Sequence, residues 1–180
     1  MGAEPVGFFM ALCLSPGTSD QFLRSFVDGL ALDVEAFSMP LMGGDIIKID
    51  GPFTVSVTAV GSVEKERVLR RSGASSGEAL WVSGTIGDGM FGLRVLDGQF
   101  SGLSEDLRES LIERYRMPDP RLLLGQSLCG LATACIDISD GLVADVGHLC
   151  AASQVGCRIA IEDVPLSEGA SQVVIADPEL

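Results

Sequence analysis

The N-terminal part of the chain shows three distinct patterns of hydrophobic and polar positions. Val6–Leu14 is an almost unbroken apolar run, which indicates a buried strand. From Ser19 to Ser38, large apolar residues return at helical spacing, which predicts an amphipathic helix capped by Thr18 or Ser19. Between Pro52 and Val63, apolar and polar residues alternate, which predicts a strand covered on one face. The residues expected to point inward there are Phe53, Val55, Val57 and Ala59.

A second set of elements begins after the polar segment Glu64–Arg67, so we place a domain boundary near Val68. The elements predicted beyond it are a strand at Ala79–Ser83 and helices at Met90–Leu96, with Asp88 as a cap, at Ser104–Tyr115, at Arg121–Ala132 and from Gly141 onward. This order predicts an α+β fold of mixed layers with two domains, residues 1–68 and 69–180.

The segment Ala134–Leu142 is a short β-type run that ends in acidic and hydroxyl side chains where a helix begins. On a strand, Asp137 and Ser139 would share one face, while Ile138 and the isoleucine two positions before it would point into a core. Asp140 is then expected at the N-cap of the helix. Two interpretations stay open: an ordinary Asp cap, or a pair of carboxylates that holds a hard divalent cation.

A second candidate is the triplet Gly43-Gly44-Asp45, which ends an apolar run. Glycines allow positive φ angles and let a backbone approach a ligand closely, and Asp45 is expected at the end of a strand, where ligands often bind in layered folds. The triplet is equally typical of a simple turn.

A third candidate is Arg71, in the loop that precedes the strand predicted at Ala79–Ser83. A guanidinium group offers paired donors that suit phosphate oxygens, and it stays charged at any relevant pH. The alternative is a solvated basic loop, since exposed arginines are common.

Composition narrows the range of partners. The 180 residues carry a formal net charge of −13, which argues against general electrostatic attraction to nucleic acid or to an anionic membrane. The run Val6–Leu14 is too short for a membrane span, and no secretory signal is visible. The five cysteines show no Cys-x-x-Cys spacing, so we expect buried free thiols in a reducing cytoplasm.

Six segments, in order along the chain, resemble the thiamine-monophosphate kinases, of the superfamily that includes aminoimidazole ribonucleotide synthetase and selenophosphate synthetase. The segments are Met1–Pro5, Gly43–Asp45, Arg71–Ala74, Val82–Asp88, Pro118–Arg121, and Ile138–Leu142 with Asp145–His148. The resemblance covers nearly the whole chain. It implies a two-domain fold like that of aminoimidazole ribonucleotide synthetase, with both domains incomplete here.

The resemblance also implies an activity: transfer of the γ-phosphoryl group of ATP to thiamine monophosphate, with several Mg²⁺ ions. Because the acceptor phosphate is largely a dianion at neutral pH, no catalytic base is needed, and the only histidine, His148, is predicted to be structural. The site residues implied are the magnesium ligands Asp45, Asp137 and Asp140, and the ATP-contacting residues Gly44, Asp45, Arg71 and Ser139.

The resemblance further implies a homodimer and a chain that is shortened at both ends, so we expect this chain alone to have little or no kinase activity. Ile46 and Ile47 depart from the family, which usually has threonines after Gly-Gly-Asp. Two alternatives stay open. One is another ATP-using enzyme of the superfamily, similar to selenophosphate synthetase or to the hydrogenase-maturation enzyme, and the other is a non-catalytic dimerisation module.

Overall fold

A computed structural model describes residues 1–176, and it confirms the predicted α+β class. The strands are β1 (Glu4–Leu14), β2 (Leu41–Lys48) and β3 (Thr54–Ser62). The helices are α1 (Asp20–Phe37), α2 (Asp88–Leu96), α3 (Glu105–Arg116), α4 (Leu122–Ser127), α5 (Leu142–Ser153) and α6 (Glu168–Ala176), and a 3-10 turn spans Ile161–Asp163.

The chain divides into two compact units. The first unit comprises Met1–Val68 and Leu122–Cys129, and the second unit comprises Leu69–Arg121 and Gly130–Leu180. The change of unit after Val68 directly follows the polar segment Glu64–Arg67 that separates the two sets of sequence patterns.

In the first unit, β1 is the central strand of a sheet with the order β2-β1-β3. It pairs in parallel with β2, by way of the crossover helix α1, and antiparallel with β3. Helix α1 starts as predicted at the N-cap Ser19, whose hydroxyl accepts a hydrogen bond from the Phe22 N–H at 3.2 Å. The core of the unit consists of Phe8, Met10 and Leu12 of β1 with Phe26, Leu30 and Val34 of α1.

Phe53, just before β3, packs against the core of the unit as predicted, but the prediction that the strand itself is covered on one face is wrong. Every residue of β3 is exposed, and Val57 keeps 56% of its surface accessible. The register pairs Val57 with Met10, so both side chains point to the same face of the sheet. Met10 belongs to the core that β1 forms with α1, whereas its partner on the outer strand is left uncovered. Among the described residues, the helix therefore covers the middle of the sheet and leaves β3 open.

The expectation that Asp45 ends a strand is also wrong. Asp45 lies inside β2, opposite Ala11 of β1, and the pairing continues through Ile46 and Ile47 to Lys48. β-branched isoleucines favour an extended backbone, and this explains why the strand runs on past the glycine pair. Neither Gly43 nor Gly44 has a positive φ angle, so the triplet is not a turn.

The core of the second unit is helical. Helices α2, α3 and α6 meet around the buried residues Phe91, Val95, Leu111, Ala170 and Val173. Each large apolar side chain buried in this way stabilises the unit by about 1.5–3 kcal/mol.

Asp88 holds two of these helices together. It is 5% exposed, and its carboxylate accepts hydrogen bonds from the hydroxyls of Thr85 and of Ser167, the latter at 2.6 Å. Nearby, the Ile86 N–H donates to the Pro165 carbonyl at 2.9 Å. The predicted cap is therefore wrong in detail: Gly87 occupies the N-cap of α2, and Asp88 instead ties the start of α2 to the start of α6.

The predicted strands at Ala79–Ser83 and within Ala134–Leu142 do not form ladders in the structure. Both segments lack strand hydrogen bonding, and Trp81 is 88% exposed. A single strand cannot satisfy its own backbone, and the described part of the second unit offers neither segment a partner strand. Helix α4 is also shorter than Arg121–Ala132, because the chain tightens after Ser127 into a turn in which the Cys129 N–H donates to the Gln126 carbonyl.

The cysteines are free, as predicted, but the expectation that they are buried is wrong. Four are half-buried and Cys157 is exposed. Within residues 1–176, no helix is both long enough and apolar enough to cross a membrane.

Candidate functional site

The acidic junction before α5 is organised by one buried carboxylate. One oxygen of Asp145, Oδ2, accepts hydrogen bonds from three consecutive backbone N–H groups: Ser139 at 2.8 Å, Asp140 at 3.0 Å and Gly141 at 3.2 Å. Asp145 lies in the first turn of α5 and is 3% exposed. These bonds fix the backbone that leads into the helix.

The predicted role of Asp140 as the helix cap is therefore wrong. The N-cap position belongs to Gly141, and Asp145, from within the helix, accepts the N–H groups of the three residues that lead into it, Ser139 to Gly141. Asp137, Ser139 and Asp140 are all exposed, so their oxygens are open to solvent. Ile138 is 43% exposed and does not point into a core, because no paired strand holds it there.

Asp140 forms a cluster with two residues of α5. Carboxylate oxygens of Asp140 and Asp145 and a ring nitrogen of His148 lie within 4.8 Å of one another. His148 is exposed, and its predicted structural role stays a prediction. Asp145 and His148 are three residues apart, a spacing that places them on one face of a helix.

The electrostatics of Asp145 agree with this geometry. The hydrogen bond from the Ser139 N–H holds the pKa of the Asp145 carboxyl below its usual 3.8, although burial acts in the opposite direction. The Asp140 and Gly141 N–H groups and the nearby His148 lower that pKa further. Asp145 is therefore ionised at neutral pH and adds a negative charge beneath the exposed carboxylate of Asp140.

Sequence reasoning overlooked Asp145 as a site residue. The available signal was an acidic residue in the first turn of the predicted helix, just after Ser-Asp-Gly, since such residues interact with free N–H groups. Its contact with residues four to six positions earlier depends on the turn of the backbone. That turn is visible only in three dimensions.

Arg71 lies on a loop that is fastened to the segment leading into the junction. The Cys135 N–H donates to the Arg70 carbonyl at 2.8 Å. The Ser153 hydroxyl donates to the Arg71 carbonyl at 3.0 Å and accepts from the Ala74 N–H at 3.2 Å. The Arg71 side chain itself is exposed. The loop backbone is thus held in place while the guanidinium group stays available to a ligand.

Glu78, in the same loop as Arg71, connects that loop to Thr133 by a hydrogen bond. Its carboxylate accepts hydrogen bonds from the Thr133 hydroxyl at 2.7 Å and from the Ser75 N–H at 2.9 Å, and the Thr133 bond in particular lowers the Glu78 pKa from its usual 4.5. Ionised Glu78 therefore stabilises the fold above pH 4.5, and this contribution is lost as the pH falls through the lower folded-state pKa.

We expect an NMR titration of the Glu78 carboxyl carbon to give a midpoint below 4.5, and Thr133→Val to move that midpoint back toward 4.5. A midpoint that does not change in Thr133→Val would show that the two residues do not interact. Ser75→Ala is the matched control, since it removes a hydroxyl but keeps the N–H that donates to Glu78.

Gly44 and Asp45 belong to the first unit, whereas Arg71, Asp137, Ser139 and Asp140 belong to the second. Pairing with Ala11 places Asp45 on the sheet face opposite the one that carries Met10 and α1. Asp45 is exposed, and its Oδ1 accepts a hydrogen bond from the Ile46 N–H at 2.8 Å. The second carboxylate oxygen, Oδ2, has no hydrogen-bond partner among the described residues.

Comparison with known proteins identifies the family of the chain. Residues 1–63 match the AIR synthase related protein N-terminal domain, and residues 75–177 match the AIR synthase related protein C-terminal domain. The chain belongs to the AIR synthase related family. This membership confirms the predicted fold and the superfamily resemblance.

Curated relatives of this AIR synthase related chain are thiamine-monophosphate kinases. The enzyme of Caulobacter vibrioides is 38% identical over 177 residues, a match that covers 98% of this chain and 49% of the relative. The enzyme of Escherichia coli K12 is also 38% identical, over 99% of this chain and 54% of the relative. The chain thus spans about half the length of the curated relatives it matches.

Solved structures agree with these relatives. The structure of AaThiL complexed with AMPPCP and TMP matches with a TM-score of 0.87 and 32% identity, over 98% of this chain and 56% of that one. Escherichia coli HypE is more distant at 20% identity and a TM-score of 0.77, which shows a shared fold alone. The predicted resemblance to the thiamine-monophosphate kinases is confirmed.

Proposed function

We propose that the protein phosphorylates thiamine monophosphate to thiamine diphosphate with ATP as the phosphoryl donor. The observation that carries the proposal is the match of nearly the whole chain to AaThiL, whose structure is a complex with AMPPCP, an ATP analogue, and TMP. The exposed carboxylates and the fixed arginine loop of the second unit are the groups that such a reaction uses. Since the chain spans about half of its relatives, the activity is proposed for the protein of full family length.

The residues proposed to bind metal and nucleotide are those expected from the sequence. Their donor set fits Mg²⁺, which prefers carboxylate and hydroxyl oxygens. Asp145 is a poorer ligand through Oδ2, because that oxygen already accepts three N–H groups. The proposed magnesium ligands are Asp45, Asp137 and Asp140, and the proposed ATP contacts are Gly44, Asp45, Arg71 and Ser139.

The chemistry requires binding and orientation more than proton transfer. The acceptor phosphate, with a second pKa of about 6, is largely ionised at neutral pH. The obstacle is therefore repulsion between two anions, and bound Mg²⁺ would neutralise charge on both. Arg71 offers paired donors to phosphate oxygens, and the exposed hydroxyl of Ser139 offers one more contact.

We also propose that the protein is a cytoplasmic homodimer whose domains divide as 1–68 and 69–180. Strands β2 and β3 are the outer strands of the sheet, and their side chains are mostly exposed. Uncovered edge strands favour pairing with another chain. A second copy of the same sheet is a partner that offers matching edges.

One alternative is a non-catalytic module in which Asp137 and Asp140 act only as caps. The hydrogen bonds to Asp145 count against it, because they leave Asp140 with no capping role. The other alternative is a different ATP-using enzyme of the superfamily, such as one similar to HypE or to selenophosphate synthetase. Its support is a shared fold at 20% identity, against 38% for the kinases.

The proposal predicts ATP binding that depends on magnesium. We expect titration calorimetry of the chain with ATP to give heat of binding with Mg²⁺ present and none with excess EDTA. Asp140→Asn should weaken binding by about tenfold or more, since even residues that only orient a metal ligand change metal affinity by about 10–100-fold. Asp97→Asn, an exposed carboxylate of the second unit, is the matched control and should bind like wild type.

Equal ATP affinity in Asp140→Asn and wild type would instead favour the module. Thiamine diphosphate formation separates the enzymatic alternatives: we expect little or none from this chain alone, and turnover from a protein of full family length. A full-length protein that binds ATP but does not phosphorylate thiamine monophosphate would favour the other superfamily enzymes.

A further inference from the structure

We propose that Asp145 is a positioning residue that makes the acidic junction select a cation. It does so by occupying, from inside the protein, a backbone site that would otherwise attract a phosphate group directly. The inference rests on the proposed function, because it assigns Asp145 a role in how that site receives nucleotide and metal.

The junction Ser139–Gly141 has the geometry of an anion-binding site. Three successive N–H groups, from Ser139 to Gly141, converge on a single oxygen of Asp145 at 2.8–3.2 Å. Consecutive N–H groups that converge in this way form a concave anion-binding site, and here they lie at the start of the 12-residue helix α5, where the helix dipole adds positive potential. Without Asp145, this junction would resemble the phosphate-binding turns of nucleotide enzymes.

The Asp145 carboxylate fills that anion-binding site and changes the potential that a phosphate group would meet. The Asp145 carboxylate satisfies the N–H groups and cancels their positive potential, so a phosphate gains little by approaching them. Its charge lies under the exposed side chains of Ser139 and Asp140. The field at the surface is therefore negative, and an anionic nucleotide can approach only with a cation between the two.

Asp145 also places the exposed side chains of Ser139 and Asp140. Asp145 holds the backbone N–H groups of Ser139–Gly141 in place. The Ser139 hydroxyl and the Asp140 carboxylate therefore extend from this turn in a single arrangement. Residues that orient metal ligands without binding the metal themselves change metal affinity by about 10–100-fold. Asp145 is placed to act in this way.

Asp88 offers a comparison within the same unit. It too is a buried aspartate in the first turn of a helix, at 5% exposed against 3% for Asp145. Its hydrogen-bond partners are the hydroxyls of Thr85 and Ser167, neither of which belongs to the junction. Asp88→Asn therefore removes a buried charge of the same kind without touching the proposed site.

The test compares wild type with Asp145→Asn, Asp145→Ala and Asp88→Asn. Amide hydrogen exchange at Ser139, Asp140 and Gly141 reports protection of the backbone, and calorimetry with ATP at a series of fixed free Mg²⁺ concentrations reports the apparent affinity of the protein for Mg²⁺. All variants are measured below the lowest melting temperature of the set, so that each is folded. Titration with inorganic phosphate in EDTA reports whether the N–H groups have become open to an anion.

We expect Asp145→Ala to lose exchange protection at the three amides and to weaken Mg²⁺ binding by about tenfold or more. Asp145→Asn keeps one acceptor oxygen and should fall between Asp145→Ala and wild type. Metal-free phosphate should bind more tightly to Asp145→Ala than to wild type, and Asp88→Asn should match wild type in all three measurements. If neither Asp145 variant folds, the wild-type protein still tests the inference, since it predicts slow exchange at these amides and no metal-free phosphate binding.

Two results would overturn the inference. One is wild-type Mg²⁺ affinity in Asp145→Ala despite lost amide protection, and the other is an equal loss of affinity in Asp88→Asn. Failure of the proposed function looks different: wild-type protein would then show protected amides but no magnesium-dependent ATP binding.

Discussion

Gly92→Ala is expected to destabilise the helical core of the second unit strongly. An alanine Cβ at this position would overlap the Leu111 backbone oxygen and lie 2.9 Å from the Tyr115 Cβ. Both obstacles belong to α3, so the added methyl group pushes α2 and α3 apart and opens the core around Leu111. Overpacking costs about 1–3 kcal/mol or more when the obstacle is backbone, a large share of a typical stability of about 5–15 kcal/mol.

Gly89→Ala is the matched control on the same helix. A Cβ there meets nothing within 4 Å, so the substitution should be neutral or should stabilise the helix by about 0.5–1 kcal/mol. Urea denaturation followed by circular dichroism measures both variants. If Gly92→Ala were as stable as Gly89→Ala, the close approach of α2 and α3 would be refuted.

Gly44→Ala is expected to disrupt the sheet of the first unit. A Cβ on Gly44 would overlap the backbone oxygen of Met10 and lie 3.2 Å from the Met10 nitrogen, and neither atom can move without breaking the β1–β2 pairing. We expect a loss of about 3 kcal/mol in the free energy of unfolding. The glycine therefore has a structural reason to be there, whether or not it contacts ATP.

The adjacent Gly43 provides the control for this experiment. Its Cβ would lie 3.6 Å from the Phe9 ring, an ordinary van der Waals contact, so Gly43→Ala should be tolerated. Thermal unfolding of the two variants should differ clearly, with Gly44→Ala melting at a lower temperature. Equal melting temperatures would mean that β2 does not approach β1 closely at Gly44.

The sequence predicted elements whose signals are local. Helix α1 and its cap were predicted because apolar spacing and the Ser19 hydroxyl act within a few residues. The extended segments Ala79–Ser83 and Ala134–Leu142 show the limit of such signals: a β-type composition favours an extended backbone, but a strand also requires a partner. The exposure of β3 has the same origin, since alternation predicts two faces but not whether anything covers them.

The residues of the candidate site also differ in whether local sequence signals could predict them. Asp137, Asp140 and Arg71 could be proposed from residue type and resemblance. Asp145 could not, because its role depends on a turn that brings three N–H groups onto one oxygen. The residue types also predicted Asp140 at the N-cap, a position that Gly141 occupies one residue later.

We propose that Asp45, Asp137 and Asp140 bind the magnesium ions that accompany ATP. Anomalous diffraction from crystals grown with Mn²⁺ and AMPPCP tests it most directly, since manganese takes the same oxygen ligands and is located by its own signal. We predict manganese peaks at about 2.0–2.3 Å from carboxylate oxygens of all three aspartates, with AMPPCP phosphates completing the coordination. Bound AMPPCP whose metal ions contact none of these carboxylates would contradict the account.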